Sequence, residues 1–296
     1  MADQANMVLY PSSYSELFAL WNRYPRAVPF AGGTALIREQ GRQVFELPPI
    51  ILSLEGLEEM RRISRSERYL EIGAMVTLSQ ILHLGKVVPA ALCRCLEHIA
   101  GLQLRNMATI GGNICFSGGR LDSPAVLAAL DAQYELRNAQ SSRWISAPRF
   151  FTALSAPVPS APALSAASSD ATAQNTTALK PNELLTRIRI PLDNWDYSAY
   201  KKIEGQASRS KVVVFLAKTQ KTTLNDIRIV YKNNMIWRNK DSETMLIGRR
   251  LPLNHKIAVD FIKSWETFLS GIQNIDELSA KELFNFIKIH INNLSE

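Results

Sequence analysis

The chain has 296 residues, of which 46% are hydrophobic and 21% are charged, a composition typical of a globular protein with more than one packed unit. No stretch approaches the roughly 18 apolar residues of a membrane span, and residues 1–10 show no secretory signal. The cysteines Cys93, Cys95 and Cys115 lack C-x-x-C spacing, so we interpret them as buried structural thiols. We therefore expect a cytoplasmic protein without a metal site of its own.

The net charge is +7. The positive residues are spread along the chain and are denser after Lys180. A basic protein can bind nucleic acid, but the sequence has no zinc-finger spacing, no RNA-recognition pattern and no recognition-helix signature. We interpret the positive residues as a solvated face or a subunit contact. A nucleic-acid-binding protein is the alternative that they leave open.

The first predicted unit covers residues 1–58. Its predicted elements are, in chain order, a helix that begins after Ser13, a strand over 27–30 and a strand over 50–54. The helix is indicated by the capping-box spacing of Ser13 and Glu16 ahead of an amphipathic stretch. The first strand leads directly into the first glycine motif, residues 31–34.

The second predicted unit covers residues 59–192. Its predicted elements are, in chain order, strands over 61–64 and 69–73, helices over 77–84 and 89–100, a helix beginning near Ser123, and strands over 133–137 and 183–190. Gly101 is expected to lie just past a helix end, and Pro191 to close the last strand. The second glycine motif, residues 109–113, lies among these elements. Their order indicates an α+β fold and not a doubly wound sheet.

Residues 155–178 and 193–296 complete the predicted organisation. Segment 155–178 is rich in Ala, Ser, Pro and Thr, so we expect a disordered surface insertion, with an interaction segment as the alternative. In the third unit, 193–296, the patterns predict strands over 199–203, 211–218 and 227–232 and helices over 256–269 and 281–294. Ile257, Phe261, Trp265 and Phe268 fall at helical spacing and are expected to face the core.

The two glycine motifs are Ala31-Gly32-Gly33-Thr34 and Thr109-Ile110-Gly111-Gly112-Asn113. A diphosphate requires several backbone N–H groups to converge on it; glycine permits the required φ values and removes the Cβ that would block approach. Threonine hydroxyls can add donors. Each pair alone is also compatible with a tight turn. Neither motif has the spacing of a dinucleotide fingerprint or of a P-loop.

The surroundings of the second motif resemble a known family. Residues 100–114, with Asp122 eight residues further on, resemble the FAD-binding subunits of molybdenum hydroxylases, such as those of xanthine dehydrogenases and the medium subunit of aerobic carbon monoxide dehydrogenase. Residues 31–34, 179–191 and 198–201 resemble further motifs of this family. The resemblance implies two subdomains that hold FAD, in a fold of the p-cresol methylhydroxylase type. A C-terminal α+β domain of the carbon monoxide dehydrogenase flavoprotein type would follow.

The resemblance also implies which residues contact FAD. One side of the pyrophosphate would be wrapped by Ala31, Gly32, Gly33, Thr34, Ala35 and Leu36, and the other side by Ala108, Thr109, Gly111, Gly112 and Asn113. Asp122 would bind a polar group of the adenosine or ribityl part, Leu185 would line the isoalloxazine, and Lys201 would lie near the flavin ring.

Each assignment has an alternative that the residues leave open. Asp122 could be only the N-cap of the helix that follows it, Leu185 could be core, and Lys201 could be a surface lysine. Gln103 and Arg105 could position the second motif without touching FAD.

The resemblance implies a function in electron transfer. Electrons would come from a separate [2Fe–2S] subunit, which a molybdopterin subunit supplies, and FAD would pass them to NAD⁺ or another acceptor. The sequence offers no acid–base triad, so no catalytic residue of its own is expected. Ala35 departs from the family, which often has an acidic or amide residue there. The alternative is an assembly subunit of the same fold that has lost FAD.

Overall fold

The computed structural model describes residues 6–36, 47–116, 121–151, 177–203, 211–233, 235–272 and 275–295. The strands are β1 (Met7–Leu9), β2 (Val28–Phe30), β3 (Ile50–Ser53), β4 (Ile63–Arg65), β5 (Tyr69–Gly73), β6 (Gln133–Arg137), β7 (Ser142–Ser146), β8 (Leu184–Pro191), β9 (Tyr197–Ile203), β10 (Lys211–Gln220), β11 (Thr223–Lys232) and β12 (Ile236–Arg238). The helices are α1 (Tyr14–Arg23), α2 (Leu78–His83), α3 (Ala90–Glu97), α4 (Leu102–Met107), α5 (Ile110–Cys115), α6 (Ser123–Ala129), α7 (Ala147–Phe151), α8 (Lys240–Leu246), α9 (His255–Ser270) and α10 (Glu277–Asn293). This mixture of helices and sheets is the α+β fold that the sequence predicts.

The chain divides into two compact units. The first comprises Met1–Val88, Glu97–Gly118 and Asp131–Pro191, and the second comprises Pro89–Leu96, Gly119–Leu130 and Leu192–Glu296. Two short segments from the middle of the sequence therefore belong to the C-terminal unit. The division into 1–58, 59–192 and 193–296 stays a prediction.

The first unit contains two sheets. One has three parallel strands in the order β1-β3-β2, and the other is antiparallel in the order β4-β5-β8-β6-β7. Alternate residues of the antiparallel sheet are apolar and buried, which follows from the two-residue period of a strand. The buried residues on this face include Leu70, Ile72, Tyr134, Leu136 and Ile188.

The alternate residues of the same sheet carry charges that pair across the strands. Arg187 lies between two carboxylates, with its Nη1 2.9 Å from Glu71 Oε2 and its Nε 3.3 Å from Glu135 Oε2. Arg189 donates to Glu71 Oε1 at 2.7 Å and lies over the ring of Trp144, 4.2 Å from its centroid. Opposite charges on neighbouring strands therefore stabilise the antiparallel register.

The second unit is built on an antiparallel sheet in the order β12-β11-β10-β9. Strand β10 is buried on both faces over most of its length, because helices cover both. Helices α9 and α10 supply Phe261, Trp265 and Leu283 to one face, which confirms the helical spacing predicted for α9. Helix α6 packs against β10 and β11.

Several local predictions are confirmed by the capping contacts. The side chain of Ser13 accepts a hydrogen bond from the Glu16 amide at the start of α1, while the Glu16 carboxylate turns back to Ser12. Thr77 and Gln80 form a reciprocal capping box at the start of α2.

Other local predictions differ from the structure. Helix α3 ends at Glu97 and not at residue 100, because Ala100 has a left-handed backbone with φ of 53°. The elements that were not predicted are β1, α4, α5, β7, α7, β12 and α8. Gly101, expected just past a helix end, is instead the N-cap of α4. Apart from residues 177 and 178, the predicted insertion 155–178 lies outside the described residues.

Candidate functional site

The first glycine motif follows β2 and approaches the second motif very closely. A Cβ atom on Gly32 would lie 1.9 Å from the carbonyl oxygen of Met107, the last residue of α4. Gly33 has φ of +67°, a conformation that residues with a side chain adopt at a cost. The first motif therefore lies in the first unit against Met107, two residues before the second motif, and Gly32 is the residue that permits this approach. That both motifs hold one diphosphate stays a prediction.

Two backbone amides of the first motif, those of Gly32 and Gly33, are available as hydrogen-bond donors within the part of the chain that the structure describes. Among the described residues, the N–H groups of Gly32 and Gly33 donate to no backbone or side-chain acceptor. Residues 31–36 are all half-buried, so these donors lie at a partly accessible position. Two adjacent open amides beside the hydroxyl of Thr34 are the kind of donors that a phosphate group requires.

The second motif differs from the predicted loop. It forms the short helix α5, with Thr109 as N-cap, and its amides are used inside the protein. The Ile110 amide donates to Val76 O at 2.9 Å, the Gly111 amide to Ala74 O at 2.9 Å, and the Gly112 amide to Thr109 Oγ1 at 3.1 Å. The expectation that these glycines adopt special φ values and aim their amides at a ligand is wrong for α5, because its backbone is helical.

The two glycines of α5 have different surroundings. A Cβ on Gly111 would lie 2.6 Å from Ala74 Cβ and 2.8 Å from Ala74 O, so this glycine permits α5 to pack against the end of β5. Gly112 is exposed, and a Cβ there would meet only Thr109 Oγ1, at 3.0 Å. Ala108 and Asn113 are half-buried on either side. A ligand that touches this motif can therefore approach at Gly112 and not at Gly111.

Leu185 lies in β8, the strand against which α5 packs. Its side chain is buried and pairs across the sheet with Leu136. This environment agrees with the alternative that Leu185 is a core residue, and its contact with the isoalloxazine stays a prediction.

Asp122 and the lysines of β9 lie in the second unit. The Asp122 carboxylate is 2% exposed and accepts hydrogen bonds from Lys202 Nζ at 3.0 Å and Tyr200 Oη at 3.3 Å. It makes no capping hydrogen bond to α6. Lys201 Nζ lies instead 3.1 Å from Glu282 on α10. Neighbouring residues of a strand face opposite sides, so β9 brings Lys202 to Asp122 and Lys201 to Glu282. The position of Lys201 near the flavin ring stays a prediction.

Burial shifts the protonation of the groups around Asp122. Loss of solvation raises the pKa of the Cys95 thiol, and the Asp122 charge raises it further. Burial also lowers the pKa of Lys232 to about 8, against an opposing effect of Asp122. In the first unit, burial raises the pKa of Cys115 to about 12. The thiols Cys95 and Cys115 are therefore protonated at neutral pH, which agrees with structural cysteines.

Sequence reasoning missed three contributions to these sites. Lys202 and Tyr200 contact Asp122, and the carbonyl of Met107 contacts Gly32. The alternation of β9 indicates that Lys201 and Lys202 face opposite sides, but it does not tell which side carries Asp122. A backbone carbonyl leaves no signal in the sequence.

Within the described ranges, no helix is long and apolar enough to cross a membrane. The same residues contain no group of three or more His, Cys, Asp or Glu side chains placed to hold a metal ion.

A family of known proteins matches most of the chain. Residues 3–193 match the family described as the FAD binding domain in molybdopterin dehydrogenase. The chain belongs to this family, so FAD is its cofactor and the chain is an oxidoreductase subunit of the molybdenum hydroxylase type. The resemblance predicted from the motifs is thereby confirmed.

The relatives agree with this assignment. The glyceraldehyde dehydrogenase medium chain of Sulfolobus acidocaldarius is 28% identical, over 75% of this chain and 74% of the relative. Aldehyde oxidase 2 of Cavia porcellus is also 28% identical, over 75% of this chain but only 16% of the relative. A solved structure of Cu,Mo-CO dehydrogenase matches with a TM-score of 0.74 and 21% identity, covering 98% of this chain and 96% of the other. That last likeness confirms the predicted fold, including its C-terminal part.

Proposed function

We propose that this chain holds FAD by its two glycine motifs and relays electrons from a [2Fe–2S] subunit, supplied by a molybdopterin subunit, to NAD⁺ or another acceptor. The main supporting observation is that Gly32 lies against Met107, two residues before the second motif, while the amides of Gly32 and Gly33 have no acceptor among the described residues. When bound, FAD supplies the redox chemistry, since it accepts single electrons and delivers pairs. The chain supplies binding and orientation.

The residues of the first unit fit the diphosphate of FAD. The open amides of Gly32 and Gly33 and the hydroxyl of Thr34 are donors, and a phosphate presents only acceptors. Asn113 adds a half-buried polar side chain from the second motif, beside the exposed Gly112, whereas Thr109 is buried and its hydroxyl accepts a hydrogen bond from the Gly112 amide. In this assignment the first motif donates backbone hydrogen bonds to the diphosphate. The second motif, held as the helix α5, contacts the diphosphate without donating backbone hydrogen bonds.

The proposed electron relay is supported by the relatives, in which the matching region is one part of a larger enzyme. The glyceraldehyde dehydrogenase relative is a medium chain, which implies chains of other sizes in that enzyme. In the aldehyde oxidase the matching region is 16% of a longer polypeptide, so most of that enzyme lies outside the likeness. A flavin subunit of this kind acts with partners and not alone.

The first experiment tests cofactor binding and the relay together. The purified chain is expected to be yellow, to release FAD on denaturation and to contain neither iron nor molybdenum. Coexpression with its partner subunits is expected to give a complex in which substrate bleaches the flavin. Turnover of an organic substrate by the chain alone at about 1 per second or faster would contradict the relay. A colourless chain that still assembles with the partners would instead indicate an assembly subunit without FAD.

The roles of Asp122 and Lys201 are tested separately. Lys202 and Tyr200 are bonded to the Asp122 carboxylate, so a hydrogen bond to FAD would be made in addition to these contacts. Asp122→Asn is expected to weaken FAD binding about tenfold, the effect of losing one charged hydrogen bond. Lys201→Met is expected to lower the flavin reduction potential if Lys201 lies near the ring, because a cation favours reduced, anionic flavin.

Lys202→Met is the matched control for Lys201→Met, since the two lysines are neighbours on opposite faces of β9. It is expected to destabilise the fold by about 1 kcal/mol, because it leaves the buried Asp122 without its ion pair while Lys202 itself is 44% exposed. A potential that is unchanged in Lys201→Met and lowered in Lys202→Met would transfer the predicted role to Lys202.

A further inference from the structure

Arg105, at the centre of α4, binds the segment that precedes its own helix. Its Nη1 donates to three backbone carbonyl oxygens, those of Glu97 at 3.0 Å, Ile99 at 3.2 Å and Ala100 at 2.5 Å. These carbonyls lie where the chain leaves α3, around the left-handed residue Ala100. One cation therefore satisfies a cluster of carbonyls that an irregular turn would otherwise leave open.

Burial does not fix α4: the helix lies beside α2, but none of its own residues is buried. Leu102, Leu104 and Met107 are all exposed large apolar residues. A six-residue helix is also too short to be stable by itself. Hydrogen bonds at its two ends therefore add to its contact with α2 in setting its position.

The contacts at the C-terminal end of α4 join it to α2 and to the first glycine motif. The Leu78 amide donates to Ala108 O at 2.9 Å, directly after Met107. The Met107 carbonyl itself abuts Gly32. Towards the N-terminal end of α4, the Arg105 side chain donates to the carbonyl oxygens of the preceding segment. A shift of α4 at that end would be transmitted along the helix to the Met107–Gly32 contact.

We propose that Arg105 is a positioning residue for FAD: it fixes α4 so that Met107 meets Gly32 and the two glycine motifs keep the separation that the diphosphate requires. Arg105 itself need not touch the cofactor. This inference rests on the proposed function, in which both motifs contact FAD.

The decisive variant is Arg105→Met, which retains much of the side-chain length and removes the donors. FAD dissociation constants are measured for the full-length chain by titration of the apoprotein, followed by flavin fluorescence. Charged hydrogen bonds are involved, so we expect FAD binding to weaken about 10- to 100-fold. Arg105→Lys keeps one charged donor group, so it should recover part of the affinity. Arg65→Met, at an exposed position of β4, is the control and should bind FAD normally.

Two further readouts separate positioning from a general loss of structure. At saturating FAD, Arg105→Met should show the normal flavin absorption spectrum, and its circular dichroism should equal that of the original chain at the temperature of the titration. In a double-mutant cycle with Gly32→Ala, the losses of affinity should be clearly less than additive, because both changes act on the same contact. Fully additive losses would overturn the proposal.

The outcomes also distinguish this inference from the proposed function. If Gly32→Ala loses FAD while Arg105→Met binds it normally, the glycine site stands and the role of Arg105 is wrong. If Gly32→Ala and Gly112→Ala both bind FAD normally, the proposed site itself is wrong. If Arg105→Met unfolds, Arg105→Gln decides: normal affinity in a folded Gln variant contradicts the proposal, since its shorter, uncharged side chain cannot reach the three carbonyl oxygens that Arg105 Nη1 contacts.

Discussion

Both glycine motifs contain a glycine pair and a threonine, but their glycines serve different physical purposes. In the first motif, Gly33 has positive φ, and the amides of Gly32 and Gly33 donate to no acceptor among the described residues. In the second motif, Gly111 and Gly112 are helical and the amides donate inside the protein. A glycine pair can therefore provide either hydrogen-bond donors or close packing, and the sequence alone does not distinguish the two.

The largest effect is expected from Gly32→Ala, which affects both motifs at once. The new Cβ would lie 1.9 Å from Met107 O, and a backbone atom cannot rotate away as a side chain can. The motifs must separate, so we expect FAD affinity to fall about 100-fold, measured by titration of the apoprotein. Gly101→Ala is the matched control, because a Cβ there meets nothing within 4 Å. Equal affinity in both variants would show that the contact of the motifs does not matter for binding.

Gly111→Ala tests the packing role of the second motif. Its Cβ would lie 2.6 Å from Ala74 Cβ, and α5 would have to move away from the end of β5. We expect the free energy of unfolding to fall by about 2 kcal/mol, as for overpacking of a core, measured by urea denaturation of the apoprotein. Loss of FAD affinity without any loss of apoprotein stability would mean that Gly111 faces the ligand after all.

Gly33→Ala tests the backbone of the first motif. The position has φ of +67°, which costs an alanine about 1 kcal/mol. The Phe30 ring, 2.6 Å from the new Cβ, can rotate and relieve part of the contact. Gly33→Asn should be milder, because asparagine tolerates this conformation better. Thermal denaturation of the two variants would rank them; equal stability would indicate that the local conformation changes freely.

Local signals predicted two helix starts but missed the caps Thr109, Asn239 and Asp276, which begin α5, α8 and α10. Ser13 and Thr77 mark the starts of α1 and α2, and both accept the expected capping hydrogen bonds. The prediction failed for α3, where the left-handed backbone of Ala100 gave no signal, since this conformation is rare for alanine. It also failed for β7, whose residues are half-buried or exposed and do not alternate.

The residues of the candidate site were predicted by resemblance, and their geometry was not. The motif indicates that Gly111 and Gly112 lie together, but the helix that contains them depends on the hydrogen bonds from Ile110 to Val76 and from Gly111 to Ala74. Such partners are remote in sequence and are backbone carbonyls, so no residue pattern encodes them. The contacts of Arg105 with the carbonyls of residues 97–100 could not be predicted either, because backbone carbonyls are common to all residue types.

The smallest effect on stability, and the sharpest test of the comparison, is expected from Gly112→Ala. The residue lies in the first turn of α5, is exposed, and would bring its Cβ no nearer than 3.0 Å to Thr109 Oγ1. Alanine favours a helix over glycine by about 1 kcal/mol, so the apoprotein should be as stable as the original chain or slightly more stable. FAD binding should nevertheless weaken, by about tenfold for one lost close approach of a phosphate.

This combination separates the two roles of a glycine, because packing predicts a loss of stability and ligand approach predicts a loss of affinity. Urea denaturation of the apoprotein gives the first quantity and FAD titration gives the second. If Gly112→Ala loses neither, the second motif only supports the first, and the diphosphate is bound by the open amides of Gly32 and Gly33 alone. If it loses affinity while stability is retained, FAD contacts both motifs, and the exposed face of α5 at Gly112 is part of the cofactor site.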